Sequence, residues 1–214
     1  MSTTPTCVIV GAGTGVSMGV ARRFAREGFR LGLMRRRVDQ LQISGLGDVQ
    51  VFSGDAGDPD SIKRAFEHVF ARLGRVDVLV YNAAAGRQTL PSLLEPEALL
   101  ADFRVNVMGA LACAQQVIPH MRTMQGGTIL LTGGGLALNP RAQFASLALG
   151  KAGLRSLAFS LAEELEADGI HVATVTIAGF VQAGTHFDPD LIAEHYWQLH
   201  TQKRGSWERE IVYR

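Results

Sequence analysis

Residues 6–19 read TCVIVGAGTGVSMG, an apolar run that ends in a glycine-rich turn. The continuous apolar residues at 6–10 predict a buried parallel strand. A helix is predicted over 15–27, and a second apolar run follows at 29–34. A strand, a glycine turn and a helix in this order direct free backbone N–H groups, at the positive end of a helix dipole, toward the turn. We expect the pyrophosphate of a dinucleotide to bind there.

The second predicted strand ends in three arginines, Arg35, Arg36 and Arg37. At this place an Asp or Glu would bind the ribose 2′-hydroxyl of NAD, whereas arginine favours the 2′-phosphate of NADP. Arg35 and Arg36 are therefore predicted to bind the cofactor, and NADP(H) is predicted to be preferred over NAD(H). The alternative is that the arginines form a solvated helix start.

The glycine spacing departs from both common dinucleotide patterns at one position each. Val16 stands where G-x-G-x-x-G has its third glycine, and Ser17 stands where a longer-spaced variant has its last. That last glycine lets the helix pack closely on the strand, and a small serine is expected to be tolerated at modest cost. The predicted cofactor contacts in the turn are Gly11, Gly13, Thr14, Gly15, Val16 and Ser17.

Length and composition favour one α/β domain over residues 1–214. Hydrophobic residues make up 47% of the chain and the formal charge is only +1, so no broad basic surface indicates nucleic acid as a partner. No apolar stretch reaches the roughly 18 residues of a membrane span, and residues 1–6 lack a basic leader region. Cys7 and Cys113 belong to no C-x-x-C or His/Cys cluster, so we expect a cytoplasmic protein and no metal site.

Strand-like and helix-like segments alternate along the whole chain. This pattern predicts a Rossmann-type doubly wound parallel sheet of about seven strands with helices on both faces. The predicted strands are 6–10, 29–34, 49–53, 76–81, 127–132, 170–177 and, weakly, 210–213. The predicted helices are 15–27, 59–73, 96–123, 143–167 and 189–202. Residues 180–208 are expected to form a small substrate lid.

Helices 96–123 and 143–167 carry apolar residues around much of their circumference. One face is expected to pack on the sheet. The remaining apolar surface indicates a second face buried against another copy of the chain, in a homodimer or a homotetramer. Packing within the core alone is the alternative.

Several short motifs follow the glycine turn in a fixed order. They are Asp55-Ala56, Asn82-Ala83-Ala84, Asn106 within Val-Asn-Val, Lys151 within Gly-Lys-Ala-Gly, and Ala178-Gly179 with Val181. Together they resemble the short-chain dehydrogenase/reductase family over the chain to about Gly179. The resemblance implies an NAD(P)-binding Rossmann domain and an oxidoreductase. By resemblance, Asp55 holds the adenine, Asn106 supports Lys151, and Lys151 binds the nicotinamide ribose; Lys151 and Asn106 are the implied catalytic residues.

The chain departs from the family at the proton donor. Leu147, four residues before Lys151, stands where the family has its tyrosine, and Gly134 stands where it has its serine. A positioned general acid contributes about 10²–10⁴-fold to such a reaction. Among possible substitutes, Ser146 is rotated away on the helix and Thr132 lies deep in its strand. The lid offers His186, His195, Tyr196 and His200, and His186 is the preferred candidate.

Three functions fit these residues. The first is an NADP(H)-dependent oxidoreductase with an atypical site, acting on a small C=N, C=C or C=O substrate that needs little acid assistance. The second is a catalytically impaired NADP(H)-binding protein, acting as a redox sensor or as a regulatory or stabilising subunit. The third is ordinary ketone or alcohol turnover through a relocated donor. The fold alone does not discriminate among them.

Overall fold

The computed structural model describes residues 4–41 and 43–214, so residues 1–3 and 42 of the expected domain lie outside the described residues. These described residues contain seven strands: β1 Thr6–Val10, β2 Arg30–Arg35, β3 Val49–Ser53, β4 Val78–Tyr81, β5 Gly127–Gly134, β6 Ile170–Ile177 and β7 Glu210–Tyr213. They form one parallel sheet in the order β3-β2-β1-β4-β5-β6-β7. The predicted doubly wound sheet is confirmed, including the weakly indicated strand at 210–213.

Helices cover both faces of the sheet. They are α1 Val16–Arg26, α2 Pro59–Leu73, α3 Pro96–Phe103, α4 Gly109–Met124, α5 Ala145–Leu165 and α6 Pro189–His200. Buried side chains of α1 and α6 belong to one hydrophobic cluster, whereas those of α2, α4 and α5 belong to the other. The two clusters lie on opposite sides of the same sheet.

Strand β1 shows why the apolar runs are unbroken. Cys7 and Ile9 pack into the cluster with α1 and α6, whereas Val8 and Val10 pack into the cluster with α2, α4 and α5. Successive side chains of a strand point to opposite faces, so a strand covered on both faces buries every residue. The pattern of the sequence therefore follows from the two helical layers.

Two helices begin with an Asp-Pro pair. The Asp58 side chain accepts a hydrogen bond from the Asp60 backbone N–H at 3.0 Å, and Asp188 accepts one from the Asp190 N–H at 2.8 Å. Proline follows each cap, where its missing N–H costs no helical hydrogen bond.

The helix predicted over 96–123 is interrupted. A π-helical segment, Arg104–Met108, separates α3 from α4 and contains Asn106. Such segments are short and are often found at functional sites. The apolar periodicity spans the interruption, so the pattern indicates one helix.

The strand order reverses between β1 and β4. In a sheet of this kind the ligand cleft opens at the carboxyl ends of the strands, at the point of reversal. The residues that follow these two strands are Gly11 and Asn82. Strand β5 runs two residues beyond the predicted end and brings Gly134 to the same edge.

Candidate functional site

The glycine turn contacts the loop after β4 directly. Gly11 has a φ of +83°, and a Cβ at this position would lie 2.3 Å from the backbone N of Ala83. The Asn82 side-chain amide donates a hydrogen bond to the Gly11 carbonyl at 3.2 Å. Only glycine combines this dihedral with such a close approach.

Ser17 has a larger role in the turn than simply being small enough to fit. It is buried, and its Oγ accepts a hydrogen bond from the Gly13 N–H at 2.8 Å and donates one to the Gly13 carbonyl at 3.1 Å. Within the described residues, no side chain caps the N-terminus of α1 at Gly15, and the first turn of the helix contains no acid. The positive end of this helix therefore suits an anion.

The first of two cavities, which we call the arginine cavity, has a volume of about 400 Å³. Arg35, Arg36 and Arg37 line one side of it, and Asp55 and the segment 82–85 line another. One oxygen of Asp55 accepts a hydrogen bond from the Gly57 N–H at 2.9 Å, which fixes the carboxylate. The structure thus brings together the residues predicted to bind the adenosine end of a dinucleotide.

The second cavity, which we call the lysine cavity, has a volume of about 640 Å³. Thr132, Gly134, Leu147 and Lys151 line it, as do residues 177–181 after β6. These include the predicted Ala178, Gly179 and Val181, together with Val16 of the glycine turn. Asn82 and Ala84 line both cavities, so the two cavities share a wall.

Lys151 is buried, and its Nζ donates a hydrogen bond to the Thr132 carbonyl at 2.6 Å. Burial disfavours the charged ammonium and lowers the pKa of Lys151 to about 8. The Lys151 ammonium is therefore close to its titration midpoint at mildly alkaline pH. Its Nζ points toward the carboxyl end of β5, where Thr132 lies.

Asn106 is held by the loop after β4. Its Oδ1 accepts a hydrogen bond from the Ala85 N–H at 2.9 Å, and its Nδ2 donates one to the Ala85 carbonyl at 2.7 Å. A Cβ at Gly150 would lie 2.4 Å from Asn106 Nδ2, so the asparagine packs against α5 beside Lys151. Asn106 is thus held in place by the loop and by Gly150, and its support of Lys151 stays a prediction.

Lys151→Met is expected to change how stability depends on pH. At pH 7 the lysine is protonated in both states, and the folded state bears the cost of burying the charge. As pH rises from about 8 to 10.5 the folded protein loses this proton before the unfolded chain does, so the wild-type free energy of unfolding rises by on the order of 3 kcal/mol from this group. Urea unfolding at several pH values would show the rise in the wild type and its absence in the variant. If the free energy of unfolding depended on pH in the same way in the wild type and in Lys151→Met, Lys151 would have its ordinary pKa in the folded protein.

The structure places His186 away from the lysine cavity. Its side chain is exposed, its Nε2 lies 2.6 Å from the Arg214 carbonyl oxygen, and its ring stacks on Tyr213 at a centroid distance of 4.6 Å. Of the described residues, those lining the two cavities do not include it. The structure therefore gives no support to the prediction that His186 is the proton donor, because the ring packs on the C-terminal strand.

Thr132 is buried, as expected of a residue deep in its strand. It lines the lysine cavity, and its Oγ1 lies 2.7 Å from the buried Oη of Tyr196. Burial raises the pKa of Tyr196, and the contact with Thr132 opposes that shift in part.

The other candidate donors have partners of their own. Ser146 is buried against Arg87, whose backbone N–H donates to the Ser146 Oγ at 3.3 Å. His200 pairs with Thr128, and His195 packs against Tyr213.

A family model of short chain dehydrogenases matches residues 5–188. The chain belongs to this family. This membership agrees with the geometry, because the matched range contains the glycine turn, both cavities and Lys151. In the described part of the chain, no helix is both long enough and apolar enough to cross a membrane.

Two of the similar proteins are 3-oxoacyl-[acyl-carrier-protein] reductases. The chain is 28% identical over 192 residues to a human 3-oxoacyl-[acyl-carrier-protein] reductase, covering 88% of this chain and 80% of the relative. It is 30% identical over 182 residues to 3-oxoacyl-[acyl-carrier-protein] reductase FabG of Thermotoga maritima, covering 82% and 74%.

Solved structures agree with the fold. A metagenomic short-chain oxidoreductase in complex with NADP is 28% identical, with a TM-score of 0.87 and coverage of 97% of this chain and 96% of that chain. A short-chain dehydrogenase from Rhodopseudomonas palustris is 25% identical, with a TM-score of 0.87 and coverage of 98% of each chain. The oxidoreductase family and the Rossmann fold therefore follow from independent comparisons.

Proposed function

We propose that this protein is an NADP(H)-dependent oxidoreductase with an atypical active site, which transfers hydride to a small C=N, C=C or C=O substrate. The observation that carries this proposal is the pair of cavities joined at Asn82. One contains three arginines suited to a 2′-phosphate, and the other contains a buried lysine beside Gly134 and Leu147.

The residues present fit an extended dinucleotide. The N-terminus of α1 and the turn at Gly13–Ser17 would receive the pyrophosphate, Arg35 and Arg36 the 2′-phosphate, and Asp55 with Ala56 the adenine. Beyond the shared wall of Asn82 to Ala84, Lys151 would bind the nicotinamide ribose, next to Ala178, Gly179 and Val181. When bound, this cofactor supplies the hydride.

The substrate itself has to carry the proton that its reduced form needs after hydride transfer. By resemblance, Gly134 and Leu147 replace the family's serine and tyrosine, and neither side chain can donate a proton. A protonated imine meets this condition: its carbon gains the hydride, its π electrons become the lone pair on nitrogen, and the nitrogen keeps its proton. The products are an amine and the oxidised cofactor, so the reaction balances without a protein acid.

A substrate panel tests this function. Purified protein is incubated with NADPH and with cyclic imines, enones and ketones, and NADPH oxidation is followed by absorbance. We expect turnover of imines to exceed that of ketones by about 10²-fold or more, since a protonated imine carries its own proton whereas the strongly basic alkoxide formed from a ketone needs the missing acid. Enones are expected to fall between them, because hydride addition leaves an enolate, a weaker base that takes its proton from water. Equal rates for all three classes would contradict the atypical site.

A non-enzymatic NADP(H)-binding protein, acting as a redox sensor or as a regulatory or stabilising subunit, is the second candidate. The apolar Leu147 and the bare Gly134 beside Lys151 favour it, because they leave the cofactor end of the cavity without a proton donor. Tight NADPH binding with no oxidation by any panel compound would select this function.

The proposal includes a cytoplasmic homodimer or homotetramer built on the helices of 96–123 and 143–167. Large apolar side chains are exposed on both of these stretches. They are Leu100, Met108, Leu111 and Leu149. Exposed apolar patches of this kind are typical of interfaces.

The cysteines support the proposed cytoplasmic location. Cys7 and Cys113 are both buried free thiols in the described structure, which suits a reducing compartment.

We expect the double variant Leu111→Glu, Leu149→Glu to reduce the molar mass in solution toward the 23.1 kDa of one chain. Burying two carboxylates in an interface costs several kcal/mol each, which is enough to dissociate it. Light scattering after size exclusion measures the mass. Leu191→Glu is the matched control, since Leu191 is as exposed as Leu149 but lies on α6. An assembly that tolerates the double variant would place the interface elsewhere.

A further inference from the structure

The open end of the lysine cavity carries an arginine with no role in the cofactor site. Arg141 lines this cavity and does not line the arginine cavity. Its side chain is exposed, and none of the ion pairs found among residues 4–41 and 43–214 involves it. An arginine in this position is available to a ligand.

The charge of the cavity has one sign. Lys151 and Arg141 are its cationic residues, and of the described residues that line it, none is Asp or Glu. Much of the remaining wall is apolar, with Leu136, Phe144 and Phe180 contributing. Low-dielectric walls strengthen the attraction between such a cation and an anionic ligand.

The loop that carries Arg141 is ordered by its own backbone. The Asn139 N–H donates to the Gly135 carbonyl at 2.9 Å, and the Phe144 N–H donates to the Arg141 carbonyl at 2.9 Å. The Thr89 N–H donates to the Gln143 carbonyl at 3.0 Å and ties the loop to the segment after β4. The backbone under Arg141 is therefore positioned before a ligand arrives, and the cost of ordering it on binding is small.

We propose, on the basis of the oxidoreductase function above, that the substrate carries a carboxylate and that Arg141 binds it. The planar guanidinium pairs with both oxygens of a carboxylate, and the side-chain amide of Asn139, which also lines the cavity, is a second donor. The carboxylate end of the substrate lies at Arg141, and its reducible carbon lies toward the buried end at Lys151. The substrate class is a small imino acid.

Paired acids and esters test this assignment by activity. The probes are 1-pyrroline-2-carboxylate and its methyl ester, which share the imine and differ in charge. In the wild type we expect kcat/KM to favour the acid, and in Arg141→Gln we expect the acid alone to lose about 10- to 100-fold, the worth of a charge-assisted hydrogen bond. Arg64→Gln is the control, because Arg64 is an exposed arginine of α2 that is not among the described residues lining either cavity.

Binding gives a second readout that does not require turnover. Calorimetry with pyrrole-2-carboxylate and its methyl ester, on protein saturated with NADP⁺, measures the affinity of an unreactive analogue. We expect the acid to bind about 10- to 100-fold more tightly than the ester, and Arg141→Gln to abolish that difference while the dissociation constant of NADPH stays unchanged.

The outcomes separate this inference from the function on which it rests. If the acid binds in a manner that depends on Arg141 but NADPH is not oxidised, the carboxylate site at Arg141 is supported and the proposed oxidoreductase function is contradicted. NADPH oxidation that is equal for acid and ester, and unchanged in Arg141→Gln, would keep the oxidoreductase and overturn the anion site. Loss of NADPH binding in Arg141→Gln would also overturn it, because the arginine would then serve the cofactor.

Discussion

Gly134→Ser combined with Leu147→Tyr is expected to raise NADPH-dependent ketone reduction by about 10²- to 10⁴-fold over the wild type. The introduced phenol would deliver the proton to the developing alkoxide, and the introduced hydroxyl would stabilise its charge. The protonated form of Lys151, which predominates at pH 7, would lower the pKa of the phenol. The rate of NADPH oxidation with a simple ketone measures the gain.

The structure has room for both side chains. A Cβ at Gly134 would lie 3.4 Å from Lys151 Cγ, an ordinary contact, and Leu147 lines the same cavity. Gly134→Ala with Leu147→Phe is the matched control, because it adds similar volume without either hydroxyl. The two hydroxyls act as a unit, so each single variant should gain much less than the pair. A double variant that binds NADPH but stays inactive on ketones would contradict the assignment of these two positions.

Arg35→Asp is expected to weaken NADPH binding by about 100-fold and to reverse the preference between NADPH and NADH. The arginine cavity would lose a charge-assisted contact to the 2′-phosphate and gain a carboxylate that repels it. The same carboxylate can accept a hydrogen bond from the ribose 2′-hydroxyl of NADH. Dissociation constants for both nucleotides give the ratio directly.

Calorimetry suits this measurement better than tryptophan quenching. Trp197 packs against Phe24, and Trp207 stacks on His171, so both indoles lie within the protein's own aromatic contacts. Arg64→Asp is the control for a general change of charge. A ratio that stays the same in Arg35→Asp would remove the argument for an NADP-specific site.

The sheet and the residues that line the arginine cavity could be predicted because they depend on local and periodic features. Buried parallel strands require continuous apolar runs, and the sequence shows them at every strand of the centre of the sheet. Gly11 is required by its positive φ and by its contact with Ala83, and both conditions leave a glycine in the sequence. The arginines after β2 line a cavity because the end of that strand lies at the cleft.

Other features depend on contacts that the sequence does not reveal. The π segment around Asn106 lies within an unbroken apolar pattern, so periodicity alone indicates a regular helix. The contact between Thr132 and Tyr196 joins residues 64 positions apart. Strand β5 extends to Gly134, although a run of three glycines favours an early end.

The proton-donor candidates show the same limit. His186 follows the predicted cofactor contacts Ala178 and Gly179 closely in sequence, and only the fold shows that its ring stacks on Tyr213 of β7. A residue in the loop between β6 and α6 can point to either side of its segment, and this loop has no periodic pattern to decide it. Arg141 was overlooked for a similar reason, since nothing local to its turn indicates which cavity the loop borders.

A crystal structure of the complex with NADP⁺ tests the central claim most directly. We expect the 2′-phosphate within hydrogen-bond distance of Arg35 or Arg36, the pyrophosphate at the N-terminus of α1, and the nicotinamide in the lysine cavity beside Gly134 and Leu147. Crystals soaked with the cofactor that show both cavities empty, or the 2′-phosphate turned away from the arginines into solvent, would contradict the account.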